Sequence, residues 1–190
     1  MTVRLWENNF HGNFKKIRAH SGAVRSVNFS KDGRLLLTTS NDKTVKVWNA
    51  VDRKFQYSLT GHRNWVKTGD FSQDAHYIAS GSDDRTVKLW DTESRVLLES
   101  FTDHNGMINS VKFHPDGTCL ASACNEKEIK IFDVRSKKLI QHYDAHTDSV
   151  NEIAFHPSGF YLISASNDSK LKIWDLRKGK LMYTLYGHEG

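Results

Sequence analysis

A histidine returns every 42 residues along this chain, at His20, His62, His104, His146 and His188, with no insertion or deletion between copies. An aromatic series keeps the same 42-residue step through Trp6, Trp48, Trp90, Phe132 and Trp174. A strict period of about 40 residues marks an array of small units, none of which can bury its apolar face alone. The period constrains the fold more tightly than any single motif. It also means that side chains recurring in phase are architectural before they are anything else.

Within one period the apolar runs are short and separated by turn residues, as strands are. In the unit that starts at His62, strands are expected over 65–71, 76–81, 86–90 and 95–101, with turns at 72–75 and 82–85. The corresponding first turns elsewhere are Lys31-Asp32-Gly33, Pro115-Asp116-Gly117 and Pro157-Ser158-Gly159, residue types that reverse a chain cheaply. The second strand is apolar at consecutive positions, as in Leu35-Leu36-Leu37, so both faces of its sheet are covered. Four-stranded sheets sandwiched between like neighbours are the blades of a β-propeller, an all-β fold. The expected division is a half blade over 1–19, complete repeats over 20–61, 62–103, 104–145 and 146–187, and the start of another at 188–190. About four and a half blades are thus expected, as the middle of a longer protein.

The net charge of +5 favours acidic partners in general. No apolar stretch nears the ~20 residues needed to span a bilayer, so no membrane partner is expected. Cys119 and Cys124 share one expected strand, where five residues at ~3.3 Å each hold them too far apart for a disulfide. That usage suits a reducing, intracellular compartment.

A polar constellation repeats with the histidines: His20, Thr38, Asp42 and Trp48; His62, Ser80, Asp84 and Trp90; His146, Ser164, Asp168 and Trp174. Ser, His and Asp together invite a nucleophilic-triad reading. A triad is needed only once, beside a substrate pocket, whereas copies at fixed phase point to bracing. In that bracing Asp accepts from His, His meets the hydroxyl, and the hydroxyl meets the indole N–H. The third unit departs, with His104, Ser122, Glu126 and Phe132: phenylalanine has no N–H, and Glu126 is a methylene too long. His114 and His156 precede prolines in separate units, Ser82-Asp83-Asp84 lacks the rest of a calcium loop, and no Gly-rich phosphate loop occurs. No catalytic residue, cofactor, metal or small-molecule substrate is expected.

With Gly-His at Gly61-His62 and Gly187-His188, Trp-Asp at Trp90-Asp91 and Trp174-Asp175, and the constant step, the whole chain resembles the WD-repeat family. Segments such as 155–163 and 179–185 resemble a centriolar member of it. That resemblance implies a seven-bladed propeller, then a linker and a short coiled coil beyond residue 190. It further implies a non-enzymatic scaffold in the walls of centrioles and ciliary basal bodies, binding tubulin and neighbouring proteins to stabilise triplet microtubules. The sequence departs from the family pattern at Glu7, Asn49 and Phe132.

Two faces could receive a partner. On the top face, where the loops joining fourth to first and second to third strands lie, the candidates are Arg63, Trp65, Asp83, Asn105, Met107 and Asn125. Trp65 and Met107 share one phase on adjacent blades, where the first and fourth units carry Ala23 and Ser149. The opposite face is basic, with Arg53, Lys54, Arg95, Arg135, Lys137, Lys138, Arg177, Lys178 and Lys180 as candidates for an acidic tubulin surface. An alternative function, substrate receptor of a cullin-type ubiquitin ligase, rests on Trp174-Asp175-Leu176-Arg177, which resembles an adaptor-docking element. Nucleic acid ranks last as a partner, because no aromatic-rich basic stripe offers base stacking.

Overall fold

Three turn positions per unit take the left-handed backbone conformation, and they cut the chain into strands at regular intervals. They are Gly33, Ala75, Gly117 and Gly159; Lys43, Arg85, Lys127 and Ser169; and Arg53, Arg95, Lys137 and Gly179. The computed structural model describes residues 1–6, 12 and 14–187, so the candidate positions Glu7 and His188 lie outside the described residues. Every regular element among the described residues is a strand.

Strands β1 (Thr2–Trp6) and β2 (Phe14–Arg18) form an antiparallel pair. Four sheets of four antiparallel strands follow, each in sequence order. The first holds β3 (Val24–Phe29), β4 (Leu35–Ser40), β5 (Thr44–Asn49) and β6 (Lys54–Thr60). The second holds β7 (Val66–Phe71), β8 (Tyr77–Ser82), β9 (Val87–Asp91) and β10 (Leu97–Phe101). The third holds β11 (Ile108–Phe113), β12 (Cys119–Cys124), β13 (Glu128–Asp133) and β14 (Leu139–Asp144). The fourth holds β15 (Val150–Phe155), β16 (Tyr161–Ser166), β17 (Lys170–Asp175) and β18 (Lys180–Tyr186).

Strand edges differ from expectation by one or two residues. Trp65 sits in the loop before β7, and Arg95 occupies a left-handed turn position at φ 63°, two residues before β10 begins. Each first strand carries a register shift at the same phase, between Val24 and Ser26, Val66 and Thr68, Ile108 and Ser110, and Val150 and Glu152. A bulge there adds twist, which a wedge-shaped sheet requires.

The first strands adjoin from sheet to sheet, β3 beside β7, β7 beside β11 and β11 beside β15. The consecutive apolar residues of the second strands now have a reason. Leu36 packs with Val3, Ile17 and Trp48, whereas its neighbour Leu37 packs with Val66, Ile78 and Trp90 of the next sheet. Ile78 and Ala79 divide in the same way, as do Leu120 and Ala121. Successive side chains point to opposite faces, so one strand serves two inter-sheet cores. Gly81 allows the closest approach: a Cβ there would stand 2.5 Å from Ile108 Cγ2 and 2.8 Å from Val111 Cγ2. Polar links cross the same seams, with Phe113 N–H donating to Asp70 Oδ2 at 3.0 Å and Ser110 Oγ to Glu152 Oε1 at 2.8 Å. These repeated four-stranded sheets are those of a β-propeller.

Candidate interaction surfaces and the repeat relay

The repeated polar residues form a relay with nearly constant geometry. Asp42, Asp84 and Asp168 each place Oδ2 2.9 Å from Nδ1 of His20, His62 and His146. Nε2 of those histidines lies 2.8, 2.8 and 2.7 Å from the hydroxyls of Thr38, Ser80 and Ser164. The indole N–H groups of Trp48, Trp90 and Trp174 donate to those hydroxyls at 3.0, 2.9 and 2.9 Å. The aspartate must accept from Nδ1–H, so Nε2 is the lone-pair nitrogen and each hydroxyl donates to it while accepting from the indole.

Burial lowers the pKa of His20 and His146, keeping both neutral, although the facing aspartates pull the other way. Burial would raise the aspartates, yet hydrogen bonds outweigh it. Asp42 and Asp84 are held well below the usual carboxylate range by Thr44 and His20 and by His62 and Thr86 respectively, and Asp168 falls to about 2. Backbone amides of Ser21, Arg63 and Thr147 also donate to these carboxylates. The relay ties the loop before each first strand to the second and third strands and buries its hydroxyls.

The third unit keeps half of this arrangement. His104 Nε2 lies 2.6 Å from Ser122 Oγ, but His104 Nδ1 is buried without a hydrogen-bond partner. Glu126, at the relay-acid phase, is exposed, and the carboxylate nearest Nδ1 is that of Glu128 at 3.9 Å. Phe132 packs instead on Phe101, ring centroids 4.4 Å apart.

Backbone bonds show which loops share a face. Asp83 N–H donates to Trp65 O at 2.9 Å and Asn125 N–H to Met107 O at 3.0 Å, tying the loops of the top face together. On the other face Val134 N–H donates to Thr118 O and Leu176 N–H to Phe160 O.

Of the six top-face candidates, three come together. Trp65, Asp83 and Met107 line one open cleft with Arg25, Lys67 and Asn109. Trp65 is 44% exposed and Met107 37%. The Arg25 guanidinium lies 5.5 Å from the Trp65 ring centroid, and Lys67 Nζ is 2.9 Å from Asp83 Oδ1. Arg63, Asn105 and Asn125 stand outside that cleft; Arg63 and Asn105 are exposed and Asn125 half-buried. Arg25 was not among the sequence candidates. It lies on the first strand, at the register shift between Val24 and Ser26, where a loop-based search does not look.

The basic candidates do not form one free patch. Arg53 is half-buried, Arg95 stacks 4.7 Å from the Tyr57 ring centroid, and Lys137 Nζ donates to Leu98 O at 2.9 Å. Arg177 stacks 4.4 Å from the Phe160 ring centroid, and its Nε lies 3.8 Å from Asp175 Oδ1. Lys54, Arg135, Lys138, Lys178 and Lys180 remain as exposed cations around the rim.

Fold and relay together define a WD-repeat propeller, a class of protein-interaction scaffolds. Comparison with known proteins narrows this. The family model described as "Nucleolar protein 10-like, N-terminal domain", a β-propeller, matches residues 8–189, and the chain belongs to that family. It is also similar to Protein hir1 of Schizosaccharomyces pombe, 30% identical over 60 residues, which are 32% of this chain and 6% of that protein. Polyadenylation factor subunit 2 of Candida albicans is 36% identical over 58 residues, 30% of this chain and 10% of that protein. Retinoblastoma-binding-like protein E of Dictyostelium discoideum is 37% identical over 57 residues, 30% of this chain and 11% of that protein. The matching stretches thus cover about a tenth or less of these relatives' own lengths.

The centriolar and basal-body location expected from the resemblance is overturned. The matching family, over residues 8–189, is described as that of a nucleolar protein. The reason is physical: short segments of these repeats are alike because turns and inter-sheet packing demand it, so their likeness carries architecture and no address. With the location goes the ground for preferring tubulin.

Proposed function

We propose that the chain supplies part of a non-enzymatic platform that grips a protein partner within a nucleolar or nuclear assembly. The observation that carries this reading is the pair Trp65 and Met107, exposed at one phase on adjacent blades and flanking a cleft that also holds Arg25, Lys67 and Asp83. Tryptophan and arginine are over-represented among the few residues that carry most of the energy of protein contacts. The family description and the relatives' names support the nuclear setting. Affinity capture of the full protein from nucleolar extract, with quantification of the bound proteins, tests the reading. Loss of the same partners from Trp65→Ala and Met107→Ala variants supports it. Partners retained by both variants, or recovered only with microtubules, would overturn it.

One observation favours a second reading, in which the opposite rim meets an acidic partner such as RNA. Arg135, Lys138, Lys178 and Lys180 are exposed there, and one relative is named as a polyadenylation factor. Arg177 is less available to a ubiquitin-ligase adaptor, since its guanidinium already lies on Phe160.

A further inference from the structure

Three repeat positions change together in the third unit, and their side chains meet in one place. Where the other units carry Ser40, Ser82 and Ser166, this one has Cys124; where they carry Thr44, Thr86 and Lys170, it has Glu128; and Phe132 replaces the relay tryptophan. Ligand atoms of His104, Cys124 and Glu128 all lie within 4.8 Å of one another. His104 and Cys124 are buried, and Glu128 stands at the edge, half-buried.

The loss of the indole alters the histidine. In the other units the hydroxyl accepts from the indole N–H and must donate to Nε2. Ser122 has no indole to serve, so it can accept from His104 Nε2–H and turn its own hydrogen to Lys130 O, 3.4 Å away. That tautomer leaves a bare lone pair on Nδ1, the buried atom without a partner, facing Cys124 and Glu128. Ser122 then holds the ring as the outer partner of a ligating imidazole commonly does.

We propose that His104 Nδ1, Cys124 Sγ and the Glu128 carboxylate bind a single Zn²⁺ ion in the third blade. One imidazole, one thiolate and one carboxylate form a borderline-soft donor set that suits zinc over calcium or magnesium. Tetrahedral zinc with bonds of about 2.0–2.3 Å needs its ligand atoms about 3.5 Å apart. Glu128 Oε2 is 3.9 Å from Nδ1 and all three ligand atoms lie within 4.8 Å of one another, so side-chain rotation of Glu128 and Cys124 must draw them together by at most about 1.3 Å. Lys130 Nζ, 2.9 Å from Glu128 Oε2, yields that oxygen and keeps its bond to Asp103 O at 2.7 Å. A water completes the shell on the solvent side.

Protons balance simply. Burial holds the His104 pKa down at about 3, with nearby Lys130 adding to the effect, so the imidazole is neutral. Burial also raises the Cys124 thiol, against the pull of the Glu126 and Glu128 backbone amides, so zinc must displace that proton. Glu128 is already ionised: burial opposes this, but the hydrogen bond from Lys130 outweighs it. One proton leaves to solvent per ion bound.

The test loads the chelator-treated full protein with Co²⁺ as a spectroscopic stand-in and titrates Zn²⁺ against it. One equivalent should give a thiolate-to-cobalt charge-transfer band, which zinc abolishes. Cys124→Ser restores the residue that the other blades carry, so it should fold, lose the band and weaken Zn²⁺ binding at least about 100-fold, beyond an outer-shell effect. Glu128→Thr should weaken binding while keeping the band. No band in the unaltered protein would overturn the proposal. So would undiminished Zn²⁺ affinity in Cys124→Ser, which would move the ion to the more exposed group of Glu128, His142 and Asp144.

Discussion

The indole N–H of Trp90 donates to Ser80 Oγ at 2.9 Å, and the same hydroxyl lies 2.8 Å from His62 Nε2. One buried oxygen therefore joins two adjacent strands to the loop before the sheet. Asp84 completes the chain from the far side of the imidazole. Asp84→Ala leaves that N–H and the Arg63 amide without their acceptor, at a cost of about 1–3 kcal/mol. The expected result is a lower midpoint in chemical denaturation of the full protein with an unchanged slope. An unmoved midpoint would show that the relay is ornamental.

The contact at Gly81 sets a stricter demand. A β-carbon there overlaps Ile108 and Val111 of the next sheet, both buried, so neither can swing aside. Gly81→Val should cost at least about 1–3 kcal/mol of strain and partly part the second and third blades. Thermal unfolding followed by tryptophan fluorescence reads this directly. A variant as stable as the parent would mean that the seam is looser than the distances say.

Acid should weaken the fold through the relay. His20 and His146 have folded pKa values lowered below the unfolded value near 6.5, so their neutral form belongs to the native state. Their contribution is whole above about pH 6.5 and is lost progressively as pH falls from there through their lower folded values, because the unfolded chain takes up protons first. The aspartates act in the same direction lower down, with Asp168 losing its contribution between its unfolded value and about 2. The melting temperature should hold from pH 8 to 7 and decline toward pH 5. His146→Gln should lower the plateau and flatten the decline; a slope unchanged by that variant would assign the acid loss elsewhere.

At the partner surface the expected signature is binding without folding. Trp65 covers little of any inter-sheet core, so Trp65→Ala should leave the melting temperature within about 1 °C while costing a hot-spot loss of ~2 kcal/mol or more in partner affinity. Arg25→Ala removes the cation above the ring and should cost less. If both variants bind normally while raised salt abolishes binding, the basic rim is the contact.

The period and the alternation of apolar and turn residues made the sheets legible from the chain. They could not place the edges: Arg95 looked like strand and is a left-handed turn position, a conformation that its side chain does not announce. The relay was legible because it is counted by phase. Phase marked Glu126 as a poor fit opposite His104 but did not show that Glu128, at the start of the third strand, is the carboxylate that faces it. The usable signal was the coincidence of Cys124, Glu128 and Phe132 in one repeat. Partner and address were illegible because segments 155–163 and 179–185 answer to packing that every such blade shares.

Leu36 and Leu37 belong to different cores although they are bonded neighbours. A one-residue insertion ahead of either would exchange their allegiances and spoil two seams at once. The unbroken 42-residue spacing thus has a mechanical origin: each residue of a second strand is committed to one of two seams.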